Sequence, residues 1–270
     1  MVIFEIRDDS IKMNHLLGYL FYFERSKRFY AELMPNLTEW DAPFIFSAFV
    51  KKGLFSIDAS WSERFVNQRI VPTDRQNLGT ILRDNKLNEY NIYKLLLLSE
   101  GRCAQDEIYL NKIHEDDLRD EIKDRLKRKV RDLLPVSDFS LYISFQDGHQ
   151  TYLNCDDFLS GNRTFTRVIS DKEVFMKAKV SPGGNGIEWG DNLSIPAESL
   201  YKQKECQGIP FELIDSFIAK RLVDTTEAVE LLNCSRQYIN QLVKDGKLIP
   251  NRVLSNNNLF LRSDLERESF

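Results

Sequence analysis

Residues 223–269 read VDTTEAVELLNCSRQYINQLVKDGKLIPNRVLSNNNLFLRSDLERES. The pattern predicts two short amphipathic helices meeting at Asn233–Ser235. Thr225 or Thr226 is the expected cap of the first, with Glu227 near its positive end. Ala228, Leu231 and Leu232 give that helix a small apolar face. Ser235 is the natural cap of the second, in which Ile239, Leu242 and Val243 point inward. Arg236, Gln237, Asn240, Gln241 and Lys244 are left to solvent. Gly246 ends the helix, because glycine tolerates the left-handed conformation that follows a helix. Two strands are predicted next, Leu248–Leu254 and Leu259–Leu261, turning at Asn256–Asn258. Arg252 and Arg262 flank this wing, and Ser263 with Glu266 has capping-box spacing for a last short helix.

A polar second helix with Arg, Gln and Asn suits a major groove, where amides meet base edges and Arg meets phosphate or guanine. The same composition describes an ordinary surface helix. The order of elements separates the two readings. The segment resembles the winged helix-turn-helix of MerR-type regulators and phage excisionase-like DNA-binding proteins. The shared features are a Thr-x-x-Ala-x-x-Leu first helix and Ser-x-x-x-Ile on the second. The turn Asp245–Pro250, the wing and the closing Ser263–Glu266 complete them. The resemblance covers about the last fifth of the chain. It implies that the second helix enters the groove, with Arg236, Gln237, Tyr238, Asn240, Gln241 and Lys244 as the recognition set. It also implies that Arg252 and Arg262 hold the phosphate backbone. The chain departs from the pattern in its uncharged wing tip, Asn256–Asn258.

At 270 residues the chain is long enough for more than one domain, and 42% hydrophobic residues with 18 Phe supply real cores. The net charge of -4 means that most of the surface does not attract nucleic acid. From Arg236 to Arg252, however, four basic residues face one acidic residue. So small a module binds weakly alone, so a homodimer is expected. The four cysteines, Cys103, Cys155, Cys206 and Cys234, lie far apart without metal-ligand spacing. No metal or cofactor is expected. Neither a signal peptide nor a membrane span is read, which leads to the expectation of a cytoplasmic protein.

The first part, 1–134, reads as a helical domain of unknown role ending in a connecting helix. Val2–Ile6 is a short strand or packed tail, and Met13–Leu33 a helix with Leu16, Leu20, Phe23, Lys27 and Tyr30 near one face. Further helices are predicted at Phe44–Val50, Trp61–Arg69, Asp74–Arg83 and Asn88–Ser99. The run Leu95–Leu98 belongs inside a bundle. Leu118, Ile122, Leu126, Val130 and Leu133 make Asp116–Leu134 an amphipathic helix for connection or dimer packing.

Between 135 and 205 the period changes to two. Leu141, Ile143 and Phe145 alternate, Asp147–Gly148 turns, and Gln150–Leu153 returns. The glycine-rich Ser181–Gly186 lacks the Gly-Lys-Ser/Thr of a phosphate loop, and Ile187–Trp189 forms another strand. This part resembles a bacterial domain-of-unknown-function family, numbered 2442. The match is carried by Val136–Phe145, Phe175–Val180, Ile187–Trp189 and Leu193 to Tyr201. That family implies no catalytic residues. Trp189 reads as a structural anchor and Asp191 as a turn residue. Gln203–Gly208 is the last linker, before a DNA-binding domain over 210–270.

The chain is thus expected to be α+β and multidomain, with an N-terminal helical domain, a small α+β middle domain and a C-terminal winged helix-turn-helix. The expected function is sequence-specific binding of double-stranded DNA by a non-enzymatic regulator or autoregulator of an accessory operon. The alternative is an adaptor or antitoxin-like protein whose middle domain binds a partner protein. An enzyme with an unfamiliar site among the N-terminal helices is the third reading.

Overall fold

In a computed structural model, the structure describes residues 1–10, 15–136, 138–159, 161–190, 193–203, 205–206, 213–255, 257–268 and 270. The architecture is α+β and multidomain, and the chain divides into two compact units, Met1–Ile122 and Lys123–Phe270.

The first unit is built on a sheet, which corrects the expectation of a helical domain. Strands β1 (Val2–Asp8), β2 (His15–Phe23), β3 (Arg28–Leu33), β4 (Ser56–Ile57) and β5 (Ile108–Ile113) form an antiparallel sheet in the order β4-β3-β2-β1-β5. Helices α1 (Phe44–Val50), α2 (Ala59–Asn67), α3 (Leu78–Asp84) and α4 (Ile92–Ser99) fill the β3–β4 and β4–β5 connections. The stretch expected as one helix over Met13–Leu33 is the β2–β3 hairpin, with Phe21 opposite Tyr30. Met13 itself lies outside the described residues. Nearly every β2 and β3 residue is buried, so both strand faces are apolar and the period-two signal disappears. What remained, a dense run of aromatics, is strand chemistry. Gly18 is required there, because a Cβ would sit 2.5 Å from the Glu32 carbonyl oxygen of the neighbouring strand. Helix α2 packs on β3, where the Ala31 amide donates to Ser62 Oγ at 2.9 Å. Phe46 of α1 stacks on Phe65 of α2. In α4, Leu95 and Leu96 are buried, while Leu97 and Leu98 are exposed, so the leucine run is only half internal.

The expected long helix Asp116–Leu134 is also divided. Helix α5 (Asp120–Leu126) stops, and the chain re-enters as strand β6 (Val130–Pro135) in the second unit. Val130, Leu133 and Leu134 are all buried, the last two on successive positions because both faces of the strand are covered from Asp132 to Pro135. β6 pairs with β7 (Ser140–Phe145), which pairs with β8 (Gln150–Asn154). Leu141, Ile143 and Phe145 are fully buried, as their alternation predicted. Short helices α6 (Cys155–Phe158), α7 (Thr166–Ser170) and α8 (Lys172–Phe175) lead to a second meander. Its strands are β9 (Lys179–Val180), β10 (Gly186–Glu188) and β11 (Ser194–Pro196), followed by α9 (Ala197–Tyr201). Trp189 is buried, and its Nε1 donates to the Phe175 carbonyl at 2.9 Å, so it is an anchor. Asp191 and the Gln207–Gly208 part of the linker lie outside the described residues.

The C-terminal elements pack on this middle part within the same unit. They are α10 (Ile214–Arg221), β12 (Leu222–Asp224), α11 (Thr225–Leu232), α12 (Arg236–Lys244), β13 (Arg252–Val253), β14 (Asn258–Leu261) and α13 (Arg262–Glu266). Arg221 fastens the two parts. Its Nε donates to Asp132 Oδ1 at 2.8 Å, and its Nη2 meets Glu266 Oε2 at 3.2 Å. The side chains of Arg221, Asp132 and Glu266 are 4%, 7% and 8% exposed. Glu266 Oε2 also accepts from the Val180 amide, and the Gly183 amide donates to the Arg267 carbonyl. Burial alone would lower the Arg221 pKa, but the two carboxylates outweigh it and hold the guanidinium above its ordinary value. Burial pushes the Asp132 carboxyl up, with a smaller push from Glu266, against the pull of Arg221.

Replacing Arg221 with Ala leaves the buried Asp132 carboxylate without its cation and Glu266 with Arg262 alone, and chemical denaturation is expected to show a loss of about 3–5 kcal/mol. Asp132 binds its proton more tightly in the folded chain than in the unfolded one. Its contribution is therefore present in full below the ordinary value of 3.8 and is lost as pH rises through the elevated folded value. Asp132→Asn removes that slope. Denaturation of the two proteins across pH checks it, and parallel curves refute it.

Candidate nucleic-acid interface

The C-terminal elements have their own small core of Val223, Ala228, Leu232, Ile239, Leu242, Leu248, Phe260 and Leu265. Helices α11 and α12 contribute four of these, Ala228, Leu232, Ile239 and Leu242, which fixes how α12 is turned. Ile239 and Leu242 are 0% and 4% exposed. Arg236, Gln237, Tyr238, Asn240, Gln241 and Lys244 are all exposed on the same helix. The structure therefore presents together the six helix residues picked out from the sequence. Gln241 Nε2 donates to Asp245 Oδ1 at 2.6 Å, a bond along the exposed face.

The turn between the helices is built from two local devices. Asn233 adopts the left-handed conformation, with φ of 44°, which Asn tolerates better than most residues. Ser235 then caps α12 by accepting from the Tyr238 amide at 3.2 Å. Gly246, with φ of 69°, closes the other end.

The cap of α11 is Asp224, not Thr225 or Thr226. Asp224 Oδ1 accepts from the Thr226 and Glu227 amides, and Glu227 answers with its carboxylate on the Asp224 amide. The signal was present as Asp224-x-x-Glu227, a capping box. The Glu227 amide, followed by the Thr226 amide, the Asn257 side chain and the charge of Arg236, holds the Asp224 carboxyl below its ordinary value. Thr225 is instead buried against the wing.

The wing is a three-stranded sheet, β12-β14-β13, rather than a hairpin alone. The predicted strand Leu248–Leu254 is reduced to Arg252–Val253, because Pro250 interrupts the stretch and Asn251 turns its side chain to bond the Leu261 amide. Asn257 reaches back to α11, accepting from the Thr225 amide and donating to Asp224 Oδ2, both at 3.0 Å. Asn256 lies outside the described residues. Arg252 is exposed on the edge strand β13. Arg262 is placed differently, on the opening turn of α13, where its Nε donates to Glu266 Oε1 at 3.0 Å. The Ser263 hydroxyl does not cap that helix. It lies inside the first turn, fully buried.

Among the described residues no group of His, Cys, Asp and Glu has the arrangement of a metal site. No helix among them is long and apolar enough to cross a membrane. Comparison with the curated proteins and with the solved structures gives no match. Residues 130–205, the part that carries Asp132 and both meanders of the middle region, match a family described as protein of unknown function (DUF2442).

Proposed function

We propose that the chain binds double-stranded DNA in a sequence-specific manner, through α12 and the wing, as a homodimeric regulator or autoregulator. The observation that supports this reading is the exposed polar face of α12, held outward by the burial of Ile239 and Leu242. A helix anchored on one side and lined with Arg, Gln, Tyr and Asn on the other can offer paired donors and acceptors to base edges. Arg236 and Gln241 are assigned to base contact. Lys244 and Arg252, at the helix end and on the edge strand, are assigned to phosphate. Arg262 has a weaker claim to phosphate, because Glu266 already engages it. The chain as a whole is acidic, so affinity rests on this local cationic strip and on two copies acting together. The middle domain rides with the DNA-binding unit and would supply the partner or dimer surface.

Genome-wide capture with the intact protein identifies the operator. On that operator, Arg236→Ala and Gln241→Ala are expected each to cost about 1–3 kcal/mol of specific binding, with unchanged thermal melting. Equal binding by the wild type and the double variant removes the assignment. Lys244→Ala and Arg252→Ala are expected to weaken binding to all sequences alike and to lower the salt slope by about 1 each.

A second reading, a protein-binding adaptor, is favoured by Ile249 and Val253, which follow α12 in the chain and are 73% and 72% exposed. Aliphatic side chains gain little against phosphate and more against a protein. A stable one-to-one protein partner, lost on Ile249→Ser with Val253→Ser and indifferent to Arg236→Ala, would favour that reading.

A further inference from the structure

The first unit contains a cleft of about 340 Å³ that the DNA-binding reading does not use. Its walls come from four separate stretches: the end of β1, residues 40–45 leading into α1, residues 68–69 just after α2, and residues 105–108. Trp40 and Phe44 are 86% and 96% exposed, the highest values among the large apolar side chains of the described residues, and both line this cleft. Leaving two aromatic rings in water at one place forgoes their burial energy, which is unusual unless something covers them.

The polar wall has a definite sign. Asp8, Asp41 and Asp106 line it with one cation, Arg69, an excess of two negative charges. Arg69 is itself built into the fold. Its side chain is 1% exposed, it meets Asp106 at 2.5 Å, and it lies 3.8 Å over the Phe65 ring. Its Nε is buried and, among the described residues, has no hydrogen-bond partner. Asp8 is 7% exposed, and its Oδ1 accepts from the Ser10 amide. The Thr38 hydroxyl and amide hold the Asp41 carboxyl below its ordinary value, with a small contribution from His15. Asp106 is committed to Arg69, which leaves Asp8 and Asp41 to set the field of the cleft. Phe44, Ile45 and Gln68 also border an adjoining apolar groove with Ala48 and Trp61, so there is room for an apolar body beside the charged end.

We propose that this cleft binds an organic cation, an ammonium or guanidinium group on an apolar or planar stem, held by the Asp8 and Asp41 carboxylates and covered by Trp40 and Phe44. Ring faces attract such cations, and the two carboxylates, Asp8 buried and Asp41 partly exposed, add a counter-charge. The cation can belong to a free small molecule or to a side chain of a partner protein.

The test titrates the intact protein with agmatine, with N-acetylarginine amide and with the uncharged isostere N-acetylcitrulline amide, followed by calorimetry. One cation per chain is expected to bind saturably, and the isostere not at all. Trp40→Ala and Asp41→Asn are each expected to weaken binding about tenfold. Phe44→Ala, at a fully solvated ring, serves as the second variant if either change disturbs the circular dichroism spectrum. Binding of agmatine alone supports a free amine as the ligand, and tighter binding of N-acetylarginine amide supports a protein side chain. The proposal is overturned if neither cation saturates at millimolar concentration. Equal binding of the isostere, or unchanged affinity in the folded variants, overturns it as well. None of these outcomes depends on DNA.

Discussion

A buried guanidinium is costly to keep, and Arg221 is kept by two carboxylates from distant parts of the chain. Asp132 lies 89 residues earlier and Glu266 lies 45 residues later. Removing Arg221 leaves the Asp132 carboxylate without its cation in a place that water does not reach, and leaves Glu266 with Arg262 alone. The arrangement makes β6, the end of α10 and α13 interdependent. The Val180 and Gly183 amides, each bonded to the last helix or the residue just after it, extend the same seam to the second meander.

This seam explains how so few apolar residues hold the C-terminal elements. Their core has eight buried members, a small number for a segment of this length. The segment gains the rest of its stability by leaning α10 and α13 on the middle part. Arg221 immediately precedes β12, and β12 leads directly into the capped start of α11. The polar face of α12 is therefore oriented by a chain of rigid connections that begins in the middle part, not by its own two helices alone.

The legibility of the sequence follows from the same physics. α12 could be read residue by residue, because one face is buried and the other is wet, and its ends carry Ser235 and Gly246. The β2–β3 hairpin could not, because burial on both faces removes the alternation that identifies a strand. Asp116–Leu134 holds a helix only over Asp120–Leu126 and then a strand whose residues happened to continue the helical period. Asp224 is followed by two threonines that are also good cap residues by type, and only its partner Glu227, three residues on, distinguishes it. The Arg221 seam and the aromatic-rimmed cleft left no local trace. Both are made by residues that meet only after the sheets have formed.

Asn257 ties one end of the wing to the first turn of α11 through two bonds, one to the Thr225 amide and one to Asp224, the residue that caps that helix. A single carboxamide thus joins a strand end to a helix cap. Pulling the strand outward strips the cap of one of its donors and leaves the Thr225 amide bare. The wing and the helix pair accordingly behave as one lever, and a force applied at the tip is felt as fraying at the root of the first helix.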